Sequence, residues 1–446
     1  MITSNVMTTI LRITKGLAVA VALVLVQAAT VRTDQAAPVS VPGIDKPVIV
    51  VTGSITGNEN WSNSNYYVLR GGVFVRNGAV LNIQAGTRVI GESGSVGTLI
   101  LERGAKLNAI GTKQQPIVFT SDQPAGGRSR GDWGGIIING RAPLNVPGGE
   151  ATGEGDTGVY GGTDPDDDSG ILRYVRVEFG GVEFSPDNEL NGIAFQAVGR
   201  GSTFDYVQAH MSRDDAIEFF GGTADIKHAI LSNAADDSLD WTFGWTGRVQ
   251  FVAITQRGDD ADNGIEADNN EFNNGLLPRS NPQIYNMTVC GDPDRNEGPE
   301  SPRGANLRRG TAFTIRNFLM YGFKSVGMQI ENSNTATTSQ VDNGTSQMGA
   351  GVIWNIPTPL HSSVAKYVSS GVFPNILTNV DPGLSGCDNH ENPNFQPSSV
   401  ATLAGGQLAP ILPPNDGFFE VTTFIGAVPP APEEDWTKGW TAYPQR

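Results

Sequence analysis

Apolar and polar residues alternate at i and i+2 through "AVLNIQAGTRVIG" (Ala79–Gly91), "GTLILERGAKLNAIG" (Gly97–Gly111), "QPIVFTSD" (Gln115–Asp122) and "GDWGGIIING" (Gly131–Gly140). That is the pattern of half-buried strands. Leu81, Leu99 and Ile117 recur at intervals of 18, as do Ile83, Leu101 and Phe119, and Ile136 and Ile138 continue both series one residue late. A fixed interval of this size predicts strands laid over their predecessors, an all-β, single-stranded, right-handed parallel β-helix. A β-sandwich would need hairpin turns that the repeat does not supply.

Further on, "SRDDAIEFFGG" (Ser212–Gly222) and "AADDSLDWTFG" (Ala234–Gly244) superpose at an interval of 22. "DADNGIEADN" (Asp260–Asn269) is the next copy, placing Ile265 under Leu239 and Glu266 under Asp240. Helical periodicity is absent outside the leader. From about Ser333 the period gives way to Ser, Thr, Asn and Pro. The expected organisation is therefore a leader (1–28), an N-terminal linker or cap (29–60), the β-helix (61–332) and an irregular C-terminal excursion and cap (333–446). Solenoids need covered ends, and Trp436 and Trp440 are candidates to cover the last apolar coil.

The leader assigns the compartment. Arg12 and Lys15 precede an uncharged run, Gly16 to Ala29, too short for a membrane span, which reads as a secretory signal cleaved after Ala28. The expectation is export to the periplasm, the outer surface or the medium, with no transmembrane segment in the mature chain. Losing Arg12 and Lys15 takes the formal charge from −16 to −18; such a chain repels nucleic acid and anionic lipid and attracts divalent cations. Cys290 and Cys387, the two cysteines, are expected to pair in an exported protein.

The charge is concentrated. "RGDDADNGIEADNNEF" (Arg257–Phe272) carries six carboxylates in sixteen residues. With the coils superposed, Asp214, Asp236 and Asp262 form one file, and Glu218, Asp240 and Glu266 a second. Strand spacing of about 4.8 Å makes them close neighbours. They are read as a solvated acidic face, as ligands for Ca²⁺, or as an acid–base pair for glycan cleavage.

Two loops add a local Ca²⁺ argument: Asp164, Asp166 and Asp168 in "DPDDDSG", and Asp292, Asp294 and Asn296 in "DPDRNEG". Oxygen donors at positions 1, 3 and 5 suit a hard cation. However, Ser169 or Glu297 stands where an EF-hand has Gly, and ordinary Asp turns fit equally. The four histidines show no ligand spacing, and His210 and His228 are expected to pack. Arg279 beside the acidic face would suit β-elimination of a uronate. Trp241, Trp245 and Tyr285 are candidates to stack on sugar rings, with Trp241 equally at home in the core.

Together "GDWGGIIINGRAPLN", "VYGGTDPDDDSGILRYVRVEFGG", "PRSNPQIYNMTV" and "TTFIGAVPPAPEEDWTKGWT" resemble a family of bacterial secreted or cell-surface right-handed parallel β-helix proteins of uncharacterised function. The resemblance runs from roughly Leu81 to Trp440. It implies the fold and export and supplies no catalytic residues. The resulting expectation is a non-catalytic exported β-helix, associated with Ca²⁺ and binding glycan or a cell-envelope protein. The alternatives are a calcium-dependent polysaccharide lyase or hydrolase using Asp236, Asp240, Asp262, Glu266 and Arg279, and a structural unit of a surface layer or filament.

Overall fold

The computed structural model describes residues 45–185, 188–294, 303–331, 336–398 and 408–446. The leader, the segment up to residue 44 and Asn296 lie outside the described residues. The chain winds as a parallel β-helix whose principal sheet has 20 strands, all its pairings parallel.

Early coils have three sides. One is built by Glu59–Trp61, Val80–Gln84 and Lys106–Ile110, the next by the first half of Tyr66–Val75, by Arg88–Gly91 and by Ile117–Ser121. The third comprises the second half of Tyr66–Val75, then Thr98–Leu101 and Gly135–Asn139. This register corrects the 18-residue stacking. Leu81 pairs with Leu107, Leu99 lies between Val73 and Ile136, and Ile117 pairs with Val175. Leu81, Leu99 and Ile117 therefore occupy three different sides; the interval counts steps around the coil. Alternation was a sound guide to strands because it is local, whereas the coil closes only after three of them.

From Gly170–Glu178 onward the first two sides fuse into one long strand per coil. The stack continues through Thr203–His210, Ile226–Ser232, Arg248–Thr255, Gln283–Cys290, Thr314–Tyr321 and Gln347–Trp354. Where the loop 111–116 once joined the two sides, a single left-handed residue now turns the corner. These are Tyr174, Tyr206, His228, Phe251, Asn286, Asn317 and Ala350, all with φ between 50° and 60°. Each is skipped by the register of its strand pair, as Tyr174 and Tyr206 are between Arg173↔Asp205 and Val175↔Val207. One outward residue per coil is an economical bend, tolerated although non-glycine residues seldom adopt this conformation.

The third side carries short strands: Ile193–Gln196, Ile217–Phe220, Leu239–Thr242, Glu266–Ala267, Ala305–Leu307 and Val326–Ile330. Inside the coil, like stacks on like. Phe219 lies 4.8 Å from Phe195 and 4.0 Å from Trp245, rings stacked. Trp241 and Trp245 are fully buried here, their indoles donating to Thr311 Oγ1 and the Ala224 carbonyl, both at 3.0 Å. Tyr285 is buried against Phe419. None of the three is available to a sugar, because each is already used in packing.

The coil stack reaches beyond 61–332 in both directions, starting at Val48–Ile55 and including Gln347–Trp354 and Ile376–Leu377. Two short helices, Ala336–Asp342 and Ser362–Ser369, lie in the aperiodic region. Each is about two turns, too short to register a period. The second buries Val364 and Tyr367 on one face, and its N-cap His361 accepts the Ser363 N–H.

The C-terminal segment covers the flank rather than the last coil. Trp436 and Trp440 meet the Tyr206 and His228 rings edge-on, at 5.0 to 6.2 Å. Asn286 donates to the Phe424 and Gly426 carbonyls, while Asn317 exchanges two bonds with Ile411. His210 is buried between Ser232 and the Pro444 carbonyl. The Cys290–Cys387 disulfide, Cα atoms 6.0 Å apart, ties this segment to the long-strand stack.

A candidate functional site on the short-strand side

On the short strands, inward Ile217, Phe219, Leu239, Trp241, Ile265 and Ala267 alternate with outward Glu218, Phe220, Asp240, Thr242, Glu266 and Asp268. Glu218 pairs with Asp240, Leu239 with Ile265, and Glu266 with Asn306, so the expected second file is in register. Its surroundings are not a solvated face: Glu218 and Glu266 are buried and Asp240 half-buried.

Beside it runs a third file that the spacing analysis passed over. Asp215 and Asp237 are only 5% and 4% exposed. Each accepts a backbone N–H from the next coil: Asp215 from Asp237 at 2.9 Å, and Asp237 from Asn263 at 2.6 Å. Outermost are half-buried Asp214, exposed Asp236 and half-buried Asp262.

Four oxygen clusters result: Asp214/Asp215/Asp236, Asp215/Glu218/Asp240, Asp236/Asp237/Asp262 and Asp237/Asp240/Glu266. In each, one oxygen per residue lies within 4.8 Å of the others. Arginines neutralise the downstream end. Arg308 pairs with Glu266 and with Asp268 (2.9 Å), Arg309 with Asp268 (2.7 Å), and Arg303 with Asp262 (3.5 Å). Among the described residues no lysine, arginine or histidine forms an ion pair with Asp214, Asp215, Glu218, Asp237 or Asp240.

Burial, and then mutual repulsion, therefore raises these carboxyls. Asp214, Asp215, Glu218, Asp237 and Glu266 are held well above the ordinary carboxylate range. Asp240 is pushed up to about 7, by burial first and then by Asp268, with Arg308 opposing. The buried amide oxygens of Asn191, Gln196 and Asn306 have no hydrogen-bond partner. The Asn191 amide nitrogen donates to Glu218 at 2.8 Å, so that side chain already reaches the cluster. An all-oxygen donor set of carboxylates and amides fits a hard divalent cation.

Over this face the hairpin Glu150–Thr152/Val159–Gly161 and the loop after Ala267 form two walls. They are pinned together where Asn145 donates to Asn269 (2.8 Å) and accepts from Asn270 (3.1 Å). The groove between them, about 370 Å³, is lined by Glu154, Tyr160, Glu218, Asp240, Asp268, Glu271, Arg308, Arg309 and Phe272. Arg279 is not among its lining residues. Its guanidinium donates to the carbonyls of Asn274 (3.0 Å) and Gly310, holding the loop. Arg308, Arg309, Tyr160 and Phe272 were invisible to coil superposition because loops or a later coil deliver them.

The D-P-D loops lie elsewhere. Asp164 accepts the Asp166 N–H, Asp168 pairs with Lys106 and caps Gly170, and Asp166 faces Arg200. Asp292 accepts the Asp294 N–H and contacts His390 at 3.0 Å. Among the described residues neither loop contributes to an oxygen cluster. A larger cavity, about 440 Å³, surrounds Phe418 on the opposite flank. Its Lys227 and Arg248 are already paired with Glu420, Asp225 and Asp416.

Fold and groove together define a parallel β-helix with a lateral acidic cleft. The family model described as a pectate-lyase-like β-helix domain matches residues 53–379, and the chain belongs to that family. No curated protein and no solved structure matches the chain. Among the described residues no helix is long and apolar enough to cross a membrane.

Proposed function

We propose that the protein is an exported β-helix of the cell surface or periplasm that binds a glycan in the short-strand groove. Ca²⁺ is held by the acid ladder beneath it, and no bond is cleaved. The observation that carries this reading is the cluster of buried Asp215, Glu218 and Asp237 with half-buried Asp240, without an ion-pair partner among the described residues. Unpaired buried charges are costly, and a cation offsets that cost where protonation otherwise must. Asp214, Glu218, Asp240, Asp262 and Glu266 lie on the files that would supply ligands, with Asp215 and Asp237 between them. Bound there, Ca²⁺ would neutralise the ladder and give sugar hydroxyls or carboxylates a hard electrophile. Glu271, Arg308 and Arg309 offer polar partners around it, and the exposed Phe272 offers a ring face.

The test is thermal melting of the mature protein in chelator, then with Ca²⁺ or Mg²⁺. Ca²⁺ at a hundred times its Kd stabilises the native state by about 2.7 kcal/mol. A Ca²⁺-selective rise that is absent in Asp215→Asn/Asp237→Asn supports the reading, and no rise removes the cation from it. Retention of acidic and neutral oligosaccharides on the immobilised protein, lost in Arg308→Gln, tests the glycan.

A second reading is hydrolysis. Asp240, at about 7, would be protonated for part of the time near neutral pH, as a general acid requires, with Glu218 and Glu266 within the same oxygen clusters. It predicts new reducing ends from bound glycan and their loss in Asp240→Asn. New double bonds formed together with the new reducing ends would mark a lyase, because β-elimination leaves an unsaturated uronate on one fragment and a free anomeric hydroxyl on the other.

A further inference from the structure

The acidic groove does not end at Phe272. It opens into a second compartment of about 400 Å³ that shares Thr152, Tyr160, Phe243 and Phe272 with it. The chemistry changes across that line. Beyond the shared residues the lining is Val146, Pro147, Ala151 and Leu276, with Asn270 and Asn273 as the polar members and no charged side chain.

This annex is built rather than incidental. Its floor belongs to a packed outer cluster in which Tyr160 meets Phe220 at 6.2 Å, and Phe220 meets Phe243 at 6.2 Å. Its walls are the two segments clamped by Asn145, Asn269 and Asn270. Phe272 stands at the boundary with 81% of its surface exposed. An exposed aromatic ring over an open apolar trough, continuous with a charged groove, is an arrangement for a ligand with two different ends.

Resting on the glycan reading above, we infer that the natural ligand is amphiphilic: a sugar carrying an acyl or alkyl substituent. The sugar occupies the groove over Glu218, Asp240 and Arg308, and the hydrocarbon crosses Phe272 to lie against Val146, Ala151 and Leu276. Two features of the site argue for a chain attached to a sugar over a free apolar molecule. The annex shares four lining residues with the groove, so a chain entering it can be continuous with a sugar in the groove. The groove's carboxylates and arginines, in turn, reject hydrocarbon and select hydroxyls or charged groups.

The probe is a pair of ligands with one head group, methyl β-glucoside and octyl β-glucoside. Each is titrated calorimetrically into the mature protein with Ca²⁺, with the octyl compound kept below micelle formation. Burial of each methylene is worth about 0.8 kcal/mol, so about tenfold tighter binding is expected for every two methylenes that enter the annex. Phe272→Ser should remove most of that gain. Leu412→Ser, which alters another exposed apolar residue on the C-terminal segment (67% exposed), should leave it intact. Equal affinity for the two glucosides overturns the inference, as does a gain that survives Phe272→Ser or is lost equally in Leu412→Ser. The glycan reading fails separately, on loss of all oligosaccharide retention. If retention persists without a chain-length effect, only the amphiphilic inference falls.

Discussion

The carboxylate of Asp215 accepts the backbone N–H of Asp237 across one coil step at 2.9 Å, and Asp237 repeats the contact to Asn263 at 2.6 Å. These acids thus have two separable roles, as acceptors for a corner amide and as buried charge. An amide side chain retains the first and removes the second. Asp237→Asn should therefore stabilise the chelated protein near neutral pH by about 1–3 kcal/mol, and shrink the Ca²⁺-induced rise. Asp237→Ala, which orphans the Asn263 N–H, should destabilise it by about 1–3 kcal/mol. Calorimetric melting of both variants decides: parallel losses would mean that charge at this position costs nothing.

The pH dependence has a definite sign. A carboxyl raised on folding contributes stability that is complete below its unfolded value and lost as pH rises through its folded value. For Asp240 that window runs from 3.8 to about 7, and Asp215, Glu218, Asp237 and Glu266 shift in the same direction. In chelator the protein should melt at a higher temperature near about pH 5 than near about pH 8, with saturating Ca²⁺ flattening or reversing the trend. A chelated protein that gains stability over that interval would contradict the protonated ladder.

Arg308 neutralises the downstream end, contacting Glu266 and Asp268 together. Its removal leaves buried carboxylates without a counter-charge, so Arg308→Gln should cost about 3–5 kcal/mol in chelator, read from urea unfolding. Arg279→Gln breaks bonds to backbone carbonyls only. It should cost less and leave the Ca²⁺ response unchanged.

The Cys290–Cys387 bridge spans 97 residues. Closing a loop of that length stabilises by about 4–5 kcal/mol on the chain-entropy account. Cys387→Ser should lose that amount in denaturant titration. Tryptic cleavage after Lys438 should precede any cut in the coils, because the segment beyond the bridge then opens first.

What the sequence disclosed follows from what is local. Alternation marked the strands. The 22-residue interval placed Glu218 against Asp240, and the next, more widely spaced copy of the motif placed Leu239 against Ile265, as the register shows, because each coil there repeats the same corner. The 18-residue interval failed for Leu81, Leu99 and Ile117, because the coil there closes only after three strands. Burial of Asp215 and Asp237 was illegible because corner residues escape the in–out alternation. The groove was only half legible: its acids sit on the repeat, while Arg308 arrives from the next coil and Tyr160 and Phe272 from excursions with no period. Trp436 and Trp440 were recognised as covering residues, but nothing in their spacing could say that they cover a flank.

The C-terminal segment constrains how the molecule can change. It runs alongside many coils at once, reaching Asn317 through Ile411, Gln250 through Glu420, Gln208 through Ala442 and Gly126 through Arg446. A bare solenoid can gain or lose one repeat and remain a solenoid. Here the flanking segment acts as a gauge cut to one length: adding or deleting a single coil would put every later anchor one rung out of step. The repeat in this chain is thus modular in its winding but not in its number.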